Sequence, residues 1–158
     1  MDTITKHNIR LTSAEIANLW STYMTDSMSI CVLKYFIAKT QDTEILPVLK
    51  FAISISQSHI QEITEIFKQE DHPIPVGFGE HDVNINAPAL FSDTFFINYI
   101  HSMSKLAMTT YGLAVSSIAR TDIYNLFSKA YLTAKDLYET SLQCLLSKGL
   151  YYRAPCIP

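Results

Sequence analysis

The chain contains five histidines and fifteen acidic residues, and only a few of them stand at spacings where they could act together. The stretch SQSHIQEITEIF places His59 three residues before Glu62, so on a helix the imidazole and the carboxylate lie on the same side. A carboxylate-bridged di-metal centre in a helical bundle draws a Glu from each of two helices and a Glu-x-x-His from each of the other two, all directed inward. Here the order is reversed, with His59 inside the apolar arc and Glu62 at its margin. Asp26 and His101 stand at the edges of their own apolar faces, while Asp136 and Glu139 point away. One imidazole and a distant carboxylate do not complete a coordination shell. The expectation is therefore no cofactor, with a metal ion on His59, Glu62 and Asp26 as the weaker alternative. His59 itself reads first as a core histidine hydrogen-bonded to Tyr23, Ser27 or Ser56.

Other chemistry finds no foothold. No nucleophile stands beside a base, and Gly77-Phe78-Gly79 is not followed by Lys-Ser/Thr or a helix start, so no catalytic residue is expected. His72 and His81, with Glu80 and Asp82 beside them, read as part of a solvated acidic loop. Cys31, Cys144 and Cys156 match neither a zinc pattern nor a disulfide framework.

The composition bounds the class. At 158 residues the chain holds one domain, residues 1–158, and 48% hydrophobic against 17% charged residues is more apolar material than a small monomer needs. A homo-oligomer is expected, with any other protein partner unspecified. A net charge of -3 with scattered Lys and Arg gives no surface for phosphate backbones, so nucleic acid is not an expected partner. The opening MDTITKHNIRLTSAE lacks an apolar leader core, and the uncharged run Leu106 to Ala119 is shorter than the roughly 18 to 20 residues of a spanning helix. The sequence therefore predicts no transmembrane segment and a cytoplasmic location.

Four helices must position these residues. In LTSAEI, Thr12 and Glu15 form a capping box, with Leu11 and Ile16 as its hydrophobic staple, and the helix runs to about Lys39. Its expected buried face carries Ile16, Trp20, Tyr23, Ser27, Ile30 and Cys31. Asp42 or Thr43 caps a second helix that ends before His72-Pro73, its stripe running from Leu46 to Phe67. Ser92 caps a third, and after the break Arg120-Thr121-Asp122 a fourth runs to Gly149, where Leu150 touches Leu145 in a Schellman ending.

Between the second and third helices lies EDHPIPVGFGEHDVNINAP, long, aperiodic and rich in proline and glycine. Helices of this length span about 40 Å, and such a segment reaches farther when extended. With only short turns elsewhere, the chain is read as all-α: an up-down-down-up four-helix bundle with one long crossover, Ile74, Val76 and Phe78 pinning the strap to the bundle. The end of the first helix then meets the start of the third. Lys34 and Asp93, which project from the middle of apolar faces, could pair there. The alternatives are dipole compensation by Asp93 beside Ser92 and snorkelling of Lys34 past Tyr35. Lys34, Asp93 and His59 are the expected polar core.

The stretches LTSAEIANLW, SMSICVLKYF, SQSHIQEITEIF, HPIPVGFGEHDVNINAPALFSDTFF and KGLYYRAP resemble the family known as domain of unknown function 3231, found mainly in Bacillus-type bacteria. The resemblance covers nearly the whole chain and implies a ferritin-like bundle, with a distant similarity to ferritin-like spore-coat proteins. It carries no assigned activity. The expected function is a non-catalytic structural or interaction protein linked to sporulation or stress. The alternatives are a ferritin-like metal-binding protein or metal-dependent oxidase, and a carrier of small apolar ligands between the hairpins.

Overall fold

Four helices carry the chain: α1 (Ser13–Lys39), α2 (Ile45–Gln69), α3 (Asp93–Val115) and α4 (Thr121–Ser147). They are seen in a computed structural model that describes residues 9–158. The first eight residues of the stretch read for a leader lie outside the described residues. The helix ends follow from local chemistry. Thr12 Oγ1 accepts from Glu15 N–H at 3.1 Å while Glu15 Oε2 accepts from Thr12 N–H at 2.8 Å, which closes the capping box. Asp42 Oδ1 accepts from the amides of Glu44 and Ile45, and Ser92 Oγ from that of Phe95. Gly149 sits at φ +67°, and Leu150 N–H reaches Leu145 O at 2.8 Å in the predicted Schellman ending. The end of α2 uses the same device with Asp71 in the left-handed position, His72 N–H reaching Phe67 O and the His72 ring stacking on Phe67 at 4.8 Å.

Two apolar clusters define the topology. One gathers Leu33 and Phe36 from the end of α1, Ile45 to Ala52 from the start of α2, Phe96 to Ile100 from the start of α3, and Leu145 from the end of α4. The other gathers Leu19, Phe67, Ala114 and Ile123 from the opposite ends of the same helices. Helices α2 and α3 therefore run parallel, each antiparallel to its hairpin neighbour, in the up-down-down-up order.

The crossover travels from one pole to the other along α1. His72 packs edge-on against Trp20 at 6.2 Å, Phe78 N–H donates to Ser27 Oγ at 3.0 Å, and Cys31 Sγ reaches Gly79 O at 3.4 Å. Lys34 pairs with Glu80, the Tyr35 hydroxyl donates to Pro88 O at 2.6 Å, and Leu90 N–H donates to that hydroxyl. At Gly77, with φ +66°, an added Cβ would stand 3.0 Å from Ser27 Oγ. Only glycine permits both that backbone and that approach.

Two expectations are corrected here. Val76 is 97% exposed and Ile74 and Phe78 are also exposed, while Pro75 is the strap residue that is buried. The strap is held mainly by hydrogen bonds to α1, so its apolar side chains are not required to face inward. The stripe assigned to the core of α1 is in large part the face that receives the strap: Trp20, Tyr23, Ser27, Cys31 and Lys34 recur at helical spacing beneath it. The core face carries Leu19, Thr22, Asp26, Leu33 and Phe36. Because α1 is covered on two sides, its apolar residues surround it and one stripe cannot be singled out.

A polar clasp ties the strap-leaving pole. Glu15, fully buried, accepts through Oε1 from the amides of Ala119 and Arg120 at 3.0 and 2.8 Å in the α3–α4 turn. The buried Arg120 guanidinium reaches Glu70 at 2.7 Å, both Asp122 oxygens and Ile9 O. Burial alone would push the Glu15 carboxyl up, but its amide donors at Thr12, Arg120 and Ala119 outweigh that and hold it below the ordinary value.

Candidate functional site

Along α1, α2 and α3 the two apolar clusters are separated by polar side chains near mid-helix, where inward-facing groups from several helices can meet. Asp26 and His59 meet there. His59 Nδ1 lies 3.0 Å from Asp26 Oδ2, Ser56 Oγ donates to Asp26 Oδ1 at 2.9 Å, and all three residues are buried. The carboxylate accepts, so the network assigns a proton to Nδ1 and leaves Nε2 as the ring nitrogen turned away from Asp26. The Tyr111 ring stands edge-on to His59 at 5.7 Å, its hydroxyl 3.4 Å from Nδ1. Burial, and then the charge of Asp26, push the Tyr111 phenol far up, so it stays protonated.

The other face of His59 opens on a groove of about 200 Å³ between α2 and α4, whose lining includes Phe51, Ser58, Glu62, Leu126 and Lys129. Nε2 has no hydrogen-bond partner among the described residues and is not sealed from solvent. Of the three metal candidates, Asp26 and His59 are thus brought together. Glu62 turns outward, accepting from Ser58 at 3.0 Å and from Lys129 at 3.3 Å. Among the described residues no group of three His, Cys, Asp or Glu side chains converges in a metal-holding geometry. His59 does not bond to Tyr23, Ser27 or Ser56, the partners expected from the sequence: Ser56 meets it only through the shared carboxylate, and its direct partner is Asp26. That partner lies on another helix, on the face that the strap-side stripe had concealed.

Lys34 and Asp93 do not pair. Lys34 Nζ lies 3.3 Å from Glu80 Oε1 in the strap, and both residues are partly or fully exposed. Asp93 accepts instead from Thr40 Oγ1 at 3.0 Å and from the amides of Gln41 and Asp42. The α1–α2 turn presents amide donors at the pole where α3 begins, and the Asp93 carboxylate accepts from them, which leaves the Lys34 ammonium, about two helical turns away, to pair with the strap.

His101, expected at an edge, is 3% exposed. Ser141 Oγ donates to Tyr138 O, so it accepts from His101 Nδ1–H at 2.8 Å, which leaves Nε2 buried without a partner among the described residues. Tyr138 stacks on the ring at 4.8 Å and Tyr151 of the carboxy-terminal tail closes it edge-on at 6.1 Å. The return of that tail carried no signal in the sequence. Burial, and then Lys105, lower the His101 pKa. The unfolded chain therefore takes up this proton first, and its contribution to stability is complete above about pH 6.5 and falls with pH below it, by at most about 1.4 kcal/mol per pH unit. In urea titrations between pH 7 and 5, His101→Phe should flatten that slope. An unchanged slope would exclude His101 as its source.

No helix among the described residues is long and apolar enough to cross a membrane. A family model described as "Protein of unknown function (DUF3231)" matches residues 1–158. No curated protein matches the chain. Among solved structures, one described as a "putative spore coat protein" from Bacillus halodurans C-125 is similar, with a TM-score of 0.85 and 18% sequence identity over 96% of this chain and 98% of that one. At that identity the likeness establishes a shared fold.

Proposed function

The chain belongs to the DUF3231 family, and from that premise we propose that it is a non-catalytic structural or interaction bundle, working through its surface in sporulation or stress physiology. The observation that carries this reading is the polar mid-layer, which is spent on itself: both Asp26 oxygens are engaged by Ser56 and His59, and Glu62 is drawn off to Lys129. The spore-coat description of the similar structure supports the physiological setting. A net charge of -3 supports a partner other than nucleic acid. The protein acts from the cytoplasm as a homo-oligomer, without a resident cofactor.

A second reading, metal binding, has one observation in its favour. A carboxylate-oriented imidazole with a free Nε2, in a groove that Glu62 also lines, is how metal-binding histidines are commonly held. Elemental analysis of protein purified without chelator separates the two readings. Iron, manganese and zinc are expected well below one per chain. A stoichiometric metal that is lost in Asp26→Asn and His59→Gln would replace the structural reading with the metal-binding one. The same groove is the place to test for a small apolar ligand by thermal shift.

A further inference from the structure

The outward face of α3 is unlike a solvated helix surface. Phe91, just before the helix, and Phe95, Tyr99, Met103, Leu106 and Leu113 are 36 to 73% exposed. At about 100° per residue the five within the helix fall on one arc of roughly 80°, and the Phe91 ring joins them through Phe95. The aromatic members are already ordered against one another: Phe91 stacks on Phe95 at 4.3 Å and Phe95 on Tyr99 at 6.1 Å. Asp93 and Lys105 are the charged residues of the helix. Asp93 is turned to the α1–α2 turn and Lys105 flanks the arc. At typical side-chain areas the stripe exposes roughly 600 Å² of apolar surface, the upper end for a monomer. It approaches the about 800 Å² per partner that a stable interface buries, and the half-exposed Tyr131, against Gly112, extends it onto α4.

We propose that α3 pairs antiparallel with α3 of a second copy, about a two-fold axis beside Met103. The inference rests on the self-association part of the functional reading and assigns its surface. A second copy is the occupant the stripe favours, because the stripe is complementary to itself. Its first half is aromatic and its second half aliphatic. Antiparallel pairing about a point between positions 102 and 103 sets Tyr99 against Leu106 and Phe91 within a residue of Leu113 of the other copy, so rings meet branched chains at both ends. With no charge on the arc, no like-charge contact opposes the pairing.

Light scattering coupled to size exclusion on the full chain tests this, with Leu106→Glu as the variant, since Leu106 is 57% exposed and its replacement leaves the core intact. The wild type is expected at twice the chain mass and Leu106→Glu at the chain mass with an unchanged melting curve, the dissociation constant rising at least a hundredfold. Met103→Cys, close to the axis, should form a reducible dimer on mild oxidation, whereas Met28→Cys on α1 should not. An oligomer whose mass and affinity are untouched by Leu106→Glu overturns the assignment of α3 and leaves self-association standing. A wild type that stays monomeric at high concentration overturns both.

Discussion

Deleting residues 74–88 from the crossover is expected to abolish the native bundle and to give hairpin-exchanged species or aggregates. The strap leaves α2 at the pole of Phe67 and His72 and joins α3 where Asp93 accepts from the amides of Gln41 and Asp42. It must therefore traverse the length of α2, whose 25 residues span about 37 Å. The eight residues that would remain between Gln69 and Asp93 reach only about 27 Å when fully extended. The α3–α4 hairpin could then dock in its native place only on another chain's α1–α2 hairpin, and the contacts of Ser27, Cys31 and Lys34 with the strap would be lost with the deleted segment. Size exclusion, circular dichroism and thermal melting read the outcome. A particle of unchanged mass, helicity and melting temperature would disprove the parallel arrangement of α2 and α3.

Glu15→Ala should be the most damaging single substitution outside the apolar clusters. The carboxylate satisfies three backbone donors, at Thr12, Ala119 and Arg120, and so joins the first turn of α1 to the α3–α4 turn. Alanine leaves these amides without an acceptor and opens a space the size of the lost side chain. At about 1 to 3 kcal/mol for each buried donor left unpaired, discounted for the donor at Thr12 that water can reach, the loss is about 3 kcal/mol, or a fall of about 10 °C in melting temperature. Glu15→Gln keeps one acceptor oxygen for the turn and should lose about 1 kcal/mol. The depressed carboxyl also fixes a pH signature: its contribution is present above the unfolded carboxyl value and disappears as pH falls through the lower folded one. Urea denaturation of both variants at pH 7 and pH 4 checks the magnitude and the sign together. If Glu15→Ala lost less than Glu15→Gln, the carboxylate would not be the acceptor that ties the turn.

What the sequence determined by itself were the features whose causes are local. Thr12, Asp42, Ser92 and Gly149 bound helices because each satisfies amides or carbonyls within a few residues of itself, and most helix boundaries followed to within about two residues, whereas α3 ends at Val115, well before the break expected at Arg120. The bundle order was legible for a geometric reason: one connection was long enough to span the bundle and the others were too short to do anything but reverse the chain. The tertiary structure decided which face of each helix meets which neighbour. Asp26 looked marginal on its own helix and becomes the partner of His59 because α2 lies against that side of α1. Lys34 and Asp93 looked like partners across one pole, yet each found closer groups, Glu80 in the strap and the amides of the α1–α2 turn. His101 looked peripheral until Tyr151 of the tail returned over it. Periodicity ranks the faces of one helix by their average polarity, whereas a buried polar group is placed by the few donors and acceptors that another element carries to it, and only packing brings those within 3 Å.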